Sequence, residues 1–127
     1  MKSPKIQLFN AVFSTSLGLG YTTFDYSPGE GTPYPFVHVA EVKSADVINN
    51  KQTINGIISQ TIHVWGYADN RALFVEMVFN LEQELRQLTR LKNYYLRFEG
   101  LDSNEVYDNS TKDNLLHGII QAEYKLI

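Results

Sequence analysis

Two stretches of alternating apolar and polar residues constrain the fold of this chain most strongly. They are FVHVAEV, residues 36–42, and ISQTIHVWGY, residues 58–67. Alternation over this length is typical of β-strands that bury one face. The polar segment between them contains Asn50, and asparagine tolerates the positive φ of a tight turn. The pattern therefore predicts a long antiparallel hairpin.

A turn centred on Asn50 and Lys51 predicts the register of this hairpin. That register places apolar pairs on one side of the sheet and ring pairs on the other. A slip of one residue would destroy the matching, whereas other registers of the same parity would preserve it. The predicted pairs are Val37 with Val64, Val39 with Ile62, Phe36 with Trp65, and His38 with His63.

Two prolines precede the first of these strands. Pro33 and Pro35 fix an extended backbone and lack the N–H group that a neighbouring strand would need. They predict that the strand starts at residue 36 and that this part of it lies at a protected edge of the sheet.

Two segments show helical periodicity. The first has Ser3 as its N-cap and ends at Gly18 and Gly20; the second follows Asp69 or Asn70 and runs for about five turns. The glutamates of the second helix are interpreted as a solvated surface, with one of them four residues before Arg86 in the favourable ion-pair order. Apolar residues recur at Ile6, Phe9, Phe13 and Leu17 in the first helix, and at Phe74, Met77, Val78, Leu81, Leu85 and Leu88 in the second.

Three further strands complete the predicted fold. Residues 21–26 form a short strand, and alternation predicts two more at residues 94–99 and within 117–127, separated by an exposed loop over residues 101–114. The order of elements predicts one α+β domain over residues 1–127. Its antiparallel sheet has four to five strands, including the long hairpin, and both helices pack on one face.

Composition excludes several classes of protein. The 127 residues contain no cysteine, so the fold has no disulfide or thiolate metal site, and the compartment is expected to be reducing. A net charge of −3 argues against a protein that holds duplex DNA by neutralising its phosphates over a broad surface. No segment approaches the roughly 20 apolar residues of a membrane span, and the first ten residues do not resemble a signal peptide, so we expect a soluble, unexported chain.

Catalytic and metal-binding residues are not predicted. His38 and His63 face each other in the predicted hairpin, which invites the idea of zinc or acid–base chemistry. The third histidine, His117, lies on a distant segment, and no carboxylate follows at ligand spacing. We therefore predict partly exposed sheet histidines and no cofactor.

Two surfaces are candidates for contact with a partner. The sheet face away from the helices would carry Phe36, Trp65 and Tyr67; large aromatic residues there indicate either a partner surface or simply the edge of the core. The hairpin tip, residues 44–57, is too polar for a core strand yet carries apolar residues that a solvated loop does not need, which indicates either an assembly contact or an ordinary flexible hairpin end. Its predicted contact residues are Val47, Ile48, Asn49, Asn50, Lys51 and Ile54.

The order of these features resembles the tail-completion proteins of long-tailed bacteriophages, also called tail terminator or tail-to-head joining proteins. The resemblance rests on a helix ending in small residues at 17–20, a strand at Tyr21, a Pro/Gly loop, Tyr34-Pro35 leading into a strand, a long hairpin ending at Val64-Trp65, and a helix after a short polar loop. Residues 100–127 match by type only.

Membership of that family would imply a structural virion protein without enzymatic activity. The chain would form a homo-hexameric ring that caps the tail tube, contacts the head–tail connector, and lets DNA pass without sequence-specific binding. It would be made in the host bacterial cytoplasm and reside at the head-proximal end of the tail, with no membrane contact. Alternatives are another small phage neck or head-completion protein, a nucleic-acid-binding α+β module, or a small α+β enzyme.

Overall fold

The structure, a computed structural model, describes residues 3–46 and 56–127. The strands of these residues form one five-stranded sheet in the order β1-β2-β3-β5-β4, which confirms the predicted α+β class. The elements are α1 (Pro4–Gly18), β1 (Thr23–Phe24), β2 (Phe36–Asp46), β3 (Gly56–Tyr67), a 3-10 turn (Ala68–Asn70), α2 (Arg71–Arg86), β4 (Leu96–Asp108) and β5 (Leu115–Leu126).

The hairpin of β2 and β3 has the predicted register. Period-2 alternation excludes a one-residue slip, because such a slip would turn the apolar set away from the core. The turn predicted at Asn50-Lys51 lies outside the described residues. All four predicted pairs are observed: Val37 with Val64, Val39 with Ile62, Phe36 with Trp65, and His38 with His63.

A β-bulge interrupts this register between Val39 and Val42. The buried side chain of Gln60 lies beside the bulge, and its Nε2 donates to the carbonyl oxygens of Ala40 (3.1 Å) and Glu41 (3.2 Å). These bonds satisfy carbonyls that the strand pairing leaves free, which stabilises the bulge.

The first strand makes the sheet mixed. β1 pairs parallel with the start of β2, and the Val37 amide donates to the carbonyl of Thr22 at 2.8 Å. β2 does begin directly after Pro35, as predicted. The prediction that the prolines protect a sheet edge is wrong, because β1 covers that part of β2.

Both helices cover the same face of the sheet. α1 lies mainly over β2, and α2 lies over β3 and β5. Phe74 packs so closely on the sheet that Cβ atoms built at Gly66 and Gly118 would lie 3.2 Å and 3.0 Å from its ring. The hydroxyl of Tyr124 donates to the carbonyl of Leu85 at 2.6 Å, which joins β5 to the end of α2. The predicted apolar face of α2 is therefore the face that meets the sheet.

The buried face of α1 differs from its most regular apolar stripe. Leu8, Val12 and Ser16 are fully buried, whereas Ile6 and Leu17 are 50% and 51% exposed. The physical reason is that α1 is apolar around much of its circumference, so periodicity alone does not select one face.

The predicted loop over residues 101–114 is mostly strand. β4 continues to Asp108 and pairs with β5 along its whole length, from Leu96 with Leu126 to Asp108 with Leu115. Residues 102–107 of this edge strand are exposed. An exposed edge strand needs no apolar alternation, so the polar sequence did not indicate a strand.

The predicted ion pair of Glu82 with Arg86 is not formed. Arg86 Nη1 instead donates to Gln83 Oε1 at 2.9 Å. The ion pairs within residues 3–46 and 56–127 are Arg71 with Glu105 and Arg97 with Glu99.

Candidate docking face

The sheet face that neither helix covers is the candidate functional surface, which we call the outer face. Alternation along β2 and β3 sends Val37 and Val64 into the core, so Phe36, Trp65 and Tyr67 point to the opposite side. Tyr67 is 37% exposed, Trp65 is partly buried, and Phe36 is only 5% exposed. Of the three predicted contact residues, Tyr67 is therefore the most accessible.

Three imidazole rings cross the outer face from β2 through β3 to β5. The ring centroids of His38 and His63 are 5.5 Å apart, and those of His63 and His117 are 5.0 Å apart. Trp65 ends the series, because its ring is nearly parallel to that of His117 at a centroid distance of 3.8 Å. We call the three histidines the histidine row.

A hydrogen bond links two members of the histidine row. His63 Nδ1 and His117 Nε2 are 2.8 Å apart, so one nitrogen carries the proton and the other accepts it. Protonating both rings would oppose two N–H donors at this distance. The arrangement therefore holds at least one of the two imidazoles neutral.

Burial favours the neutral form of every ring in the row. It lowers the pKa of His117 to about 4, assisted by the neighbouring His63 and opposed by Asp108. Burial also lowers the pKa of His63, assisted by His38, and that of His38 itself, where Glu41 opposes the shift. Near neutral pH the row is therefore uncharged.

A cluster of aromatic rings adjoins the histidine row. Phe36 packs against Phe24 at a centroid distance of 5.6 Å and stacks on Tyr34 at 5.2 Å. Tyr34 also meets Tyr67 edge-on at 5.2 Å, and Tyr26 extends the cluster from Phe24 at 5.7 Å. Phe36 and Trp65 are register partners, but their rings stack on different neighbours.

The outer face presents ring side chains of the kind that contact another macromolecule. Within residues 3–46 and 56–127, no group of three or more His, Cys, Asp or Glu is arranged to hold a metal ion. Uncharged rings with polar edges are the side chains that protein interfaces favour. In the same residue ranges, no helix is both long and apolar enough to cross a membrane.

The sequence predictions located part of this surface. The prediction that His117 lies far from the other two histidines is wrong. The pairing of β3 with β5 brings His117 opposite Trp65. The alternation of β5 places His117 on the opposite face from Ile120, and this pattern is the sequence signal that could have assigned His117 to the outer face. The hairpin-tip residues Val47, Ile48, Asn49, Asn50, Lys51 and Ile54 lie outside the described residues.

Comparison with known proteins gives a structural match only. No protein-family model and no curated protein sequence matches the chain. Among solved structures, a chain of the virion of a native gene transfer agent (GTA) particle superposes with a TM-score of 0.66. The match covers 98% of this chain and 99% of that chain, at 15% sequence identity. The two chains therefore share a fold over nearly their full lengths.

Proposed function

We propose that this chain is a structural subunit of a phage-type virion. It forms a homo-hexameric ring that caps the tail tube, contacts the head–tail connector and leaves a channel for DNA. The observation that carries the proposal is the full-length similarity of fold to a chain of a gene transfer agent virion. A match that spans both chains fits a subunit of the same size and architecture.

The residues that suggested tail completion support the finer assignment. α1 ends at Gly18, a short strand follows at Thr23, and Tyr34-Pro35 leads into β2. The hairpin then brings Trp65 to the end of β3, directly before α2. This order agrees with the family arrangement along the first two thirds of the chain.

The chemistry of the outer face is consistent with assembly. Tyr26 and Tyr67 are exposed at the margin of a cluster that is otherwise packed on itself, and the adjoining histidine row is uncharged. Amphipathic rings held rigid by their neighbours contribute contact area with little loss of side-chain entropy. We propose that Phe36, Trp65 and Tyr67 belong to a contact with a neighbouring virion protein.

The acidic character of the chain fits passage of DNA. Its net charge is −3, and carboxylates of Asp102 and Glu123 line a shallow depression of 250 Å³ with Ser59 and Gln121. A wall without clustered cations would not retain a sliding duplex.

Localisation on particles tests the proposal. An antibody against the chain should label the head-proximal end of purified tails, and deletion of its gene should leave separate heads and tails. Absence of the chain from that end would overturn the tail-completion role. Salt-dependent retention of the isolated protein on immobilised DNA would instead support a nucleic-acid-binding module.

A further inference from the structure

A cleft of 670 Å³ lies between α1 and the connection from α2 to β4, residues 87–95. Its volume falls within the roughly 300–1,000 Å³ of ligand sites in proteins. The α1 wall consists of residues three or four apart, which share one side of the helix. The polar residues that line the cleft are Gln7, Asn10, Ser14, Arg90, Lys92 and Asn93. We call it the basic cleft.

Hydrogen bonds hold the two walls of the basic cleft together. Gln7 is only 6% exposed, and its Nε2 donates to Asn93 Oδ1 at 2.9 Å. The Asn93 amide donates in return to Gln7 Oε1 at 2.9 Å. On the same connection, the guanidinium of Arg90 lies 5.4 Å from the centroid of the Tyr95 ring, which restricts its rotamers. The cleft is therefore organised before any ligand binds.

The basic cleft carries positive charge that the fold does not neutralise. The two ion pairs within residues 3–46 and 56–127 involve neither Arg90 nor Lys92. In the same part of the chain, no Asp or Glu lines the cleft. Residues 85–98 contain four cations and no acidic residue, although the net charge of the whole chain is −3. A ligand in the cleft therefore meets two cations without carboxylate partners, which favours an anion.

The uncharged lining favours a peptide over a nucleic acid. Asn10 and Ser14 are exposed on the α1 wall, and their amide and hydroxyl groups both donate and accept, as the N–H and C=O groups of a peptide require. Ala11 and the buried Leu91 add apolar surface between these polar groups. Single-stranded nucleic acid binds where aromatic rings stack on its bases, and no aromatic ring of the described residues lines the cleft.

We propose that the basic cleft binds an acidic peptide segment of another protein, whose carboxylates pair with Arg90 and Lys92. The planar guanidinium of Arg90 suits bidentate contact with one carboxylate, and the ammonium group of Lys92 attracts a second. This inference goes beyond the proposed function and does not rest on it, because it uses only the groups that line the cleft.

Titration of the ¹⁵N-labelled chain with a capped octaglutamate peptide at physiological salt tests the inference. The backbone amide resonances of residues 90–93, Asn10 and Ser14 should shift together as the peptide is added. Capped octaglutamine has the same backbone without the charge. Octaglutamate should therefore bind at least about tenfold more tightly than octaglutamine.

Two double variants separate the basic cleft from general electrostatic attraction. Arg90→Gln combined with Lys92→Gln should weaken octaglutamate binding by at least about tenfold. Lys43→Gln combined with Lys112→Gln is the matched control, because it removes the same charge from exposed side chains that do not line the cleft. The control should change the affinity by less than about twofold, since salt screens distant charges. The amide spectrum of each variant shows that it is folded.

Octaglutamine binding as tight as that of octaglutamate, equal losses in the two double variants, or shifts confined to other surfaces would overturn the inference. An oligothymidylate of the same length should bind more weakly; equal or tighter binding in the cleft would assign it to a phosphate backbone and reject the acidic peptide. These results are separable from the test of function. A chain that binds octaglutamate but is absent from tails retains the cleft and rejects the virion role, and a chain on tails that does not bind octaglutamate does the reverse.

Discussion

His63 Nδ1 lies 2.8 Å from His117 Nε2, although 54 positions separate the two residues along the chain. The hydrogen bond crosses from β3 to β5 on the outer face. With His38 on one side and Trp65 on the other, it forms part of a continuous series of stacked rings. This geometry makes the outer face sensitive to protonation.

Stability should fall as the pH decreases from about 6.5 to about 4. The pKa of His117 is lowered to about 4 in the folded chain, so in this window the unfolded chain binds more protons. The contribution is complete above pH 6.5 and is lost toward pH 4. Because the ring is partly exposed, solvent screening limits the expected loss to about 1–2 kcal/mol. Urea unfolding at pH 7.5 and pH 4.5 measures it.

Carboxylates also titrate in this window, so the comparison needs a variant without the imidazole. His117→Phe keeps a ring against Trp65 and should lose less stability than the natural chain over the same pH interval. Equal losses in the two proteins would show that His117 does not contribute.

Replacing Trp65 by alanine should destabilise the chain by about 2–3 kcal/mol. A fully buried tryptophan would cost about 3–5 kcal/mol, but Trp65 is partly exposed, with its ring stacked on that of His117. Tyr95→Ala, at a more exposed ring, should cost less than about 1 kcal/mol. Denaturant unfolding combined with a head–tail joining assay separates folding from contact. If the Trp65→Ala protein has the stability of the natural chain and still joins heads to tails, Trp65 contributes neither to folding nor to the partner contact.

Gly118→Ala should lower the free energy of unfolding by about 1–3 kcal/mol, because the new methyl group meets side chains of α2 that pack on the sheet. Its Cβ would lie 3.0 Å from the ring of Phe74 and 3.3 Å from Val78 Cγ2. Gly100→Ala is the control, because a Cβ at Gly100 meets nothing within 4 Å. Thermal unfolding of the two variants should therefore differ, and equal midpoints would contradict the close packing of α2 on β5.

Shortening the hairpin tip should prevent assembly while leaving the fold intact. Replacing residues 45–57 by Asn-Gly joins Ser44 to Ile58, which are register partners, through a two-residue turn. The monomer should keep its unfolding midpoint within a few degrees, but heads and tails should no longer join. Infectious particles in a complementation assay with the shortened protein would show that the tip has no role in assembly.

Local periodicity was sufficient wherever one face of an element is strongly apolar. The alternation around Val37 and Val64 gave the register of β2 and β3, and the stripe from Phe74 to Leu85 gave the buried side of α2. In both cases a shift of one residue would expose several apolar side chains, so periodicity determined the buried face of each element, and the predicted turn position selected one register of that parity.

The tertiary structure decided what periodicity left open. α1 is apolar on two sides, and its position over β2 selected Leu8 and Val12 for the core rather than Ile6 and Leu17. The order of strands placed β5 beside β3, which brought His117 to His63 and produced the surface that we propose for docking. Such contacts depend on pairing between segments far apart in the chain, and alternation within one strand gives its two faces but not its neighbour.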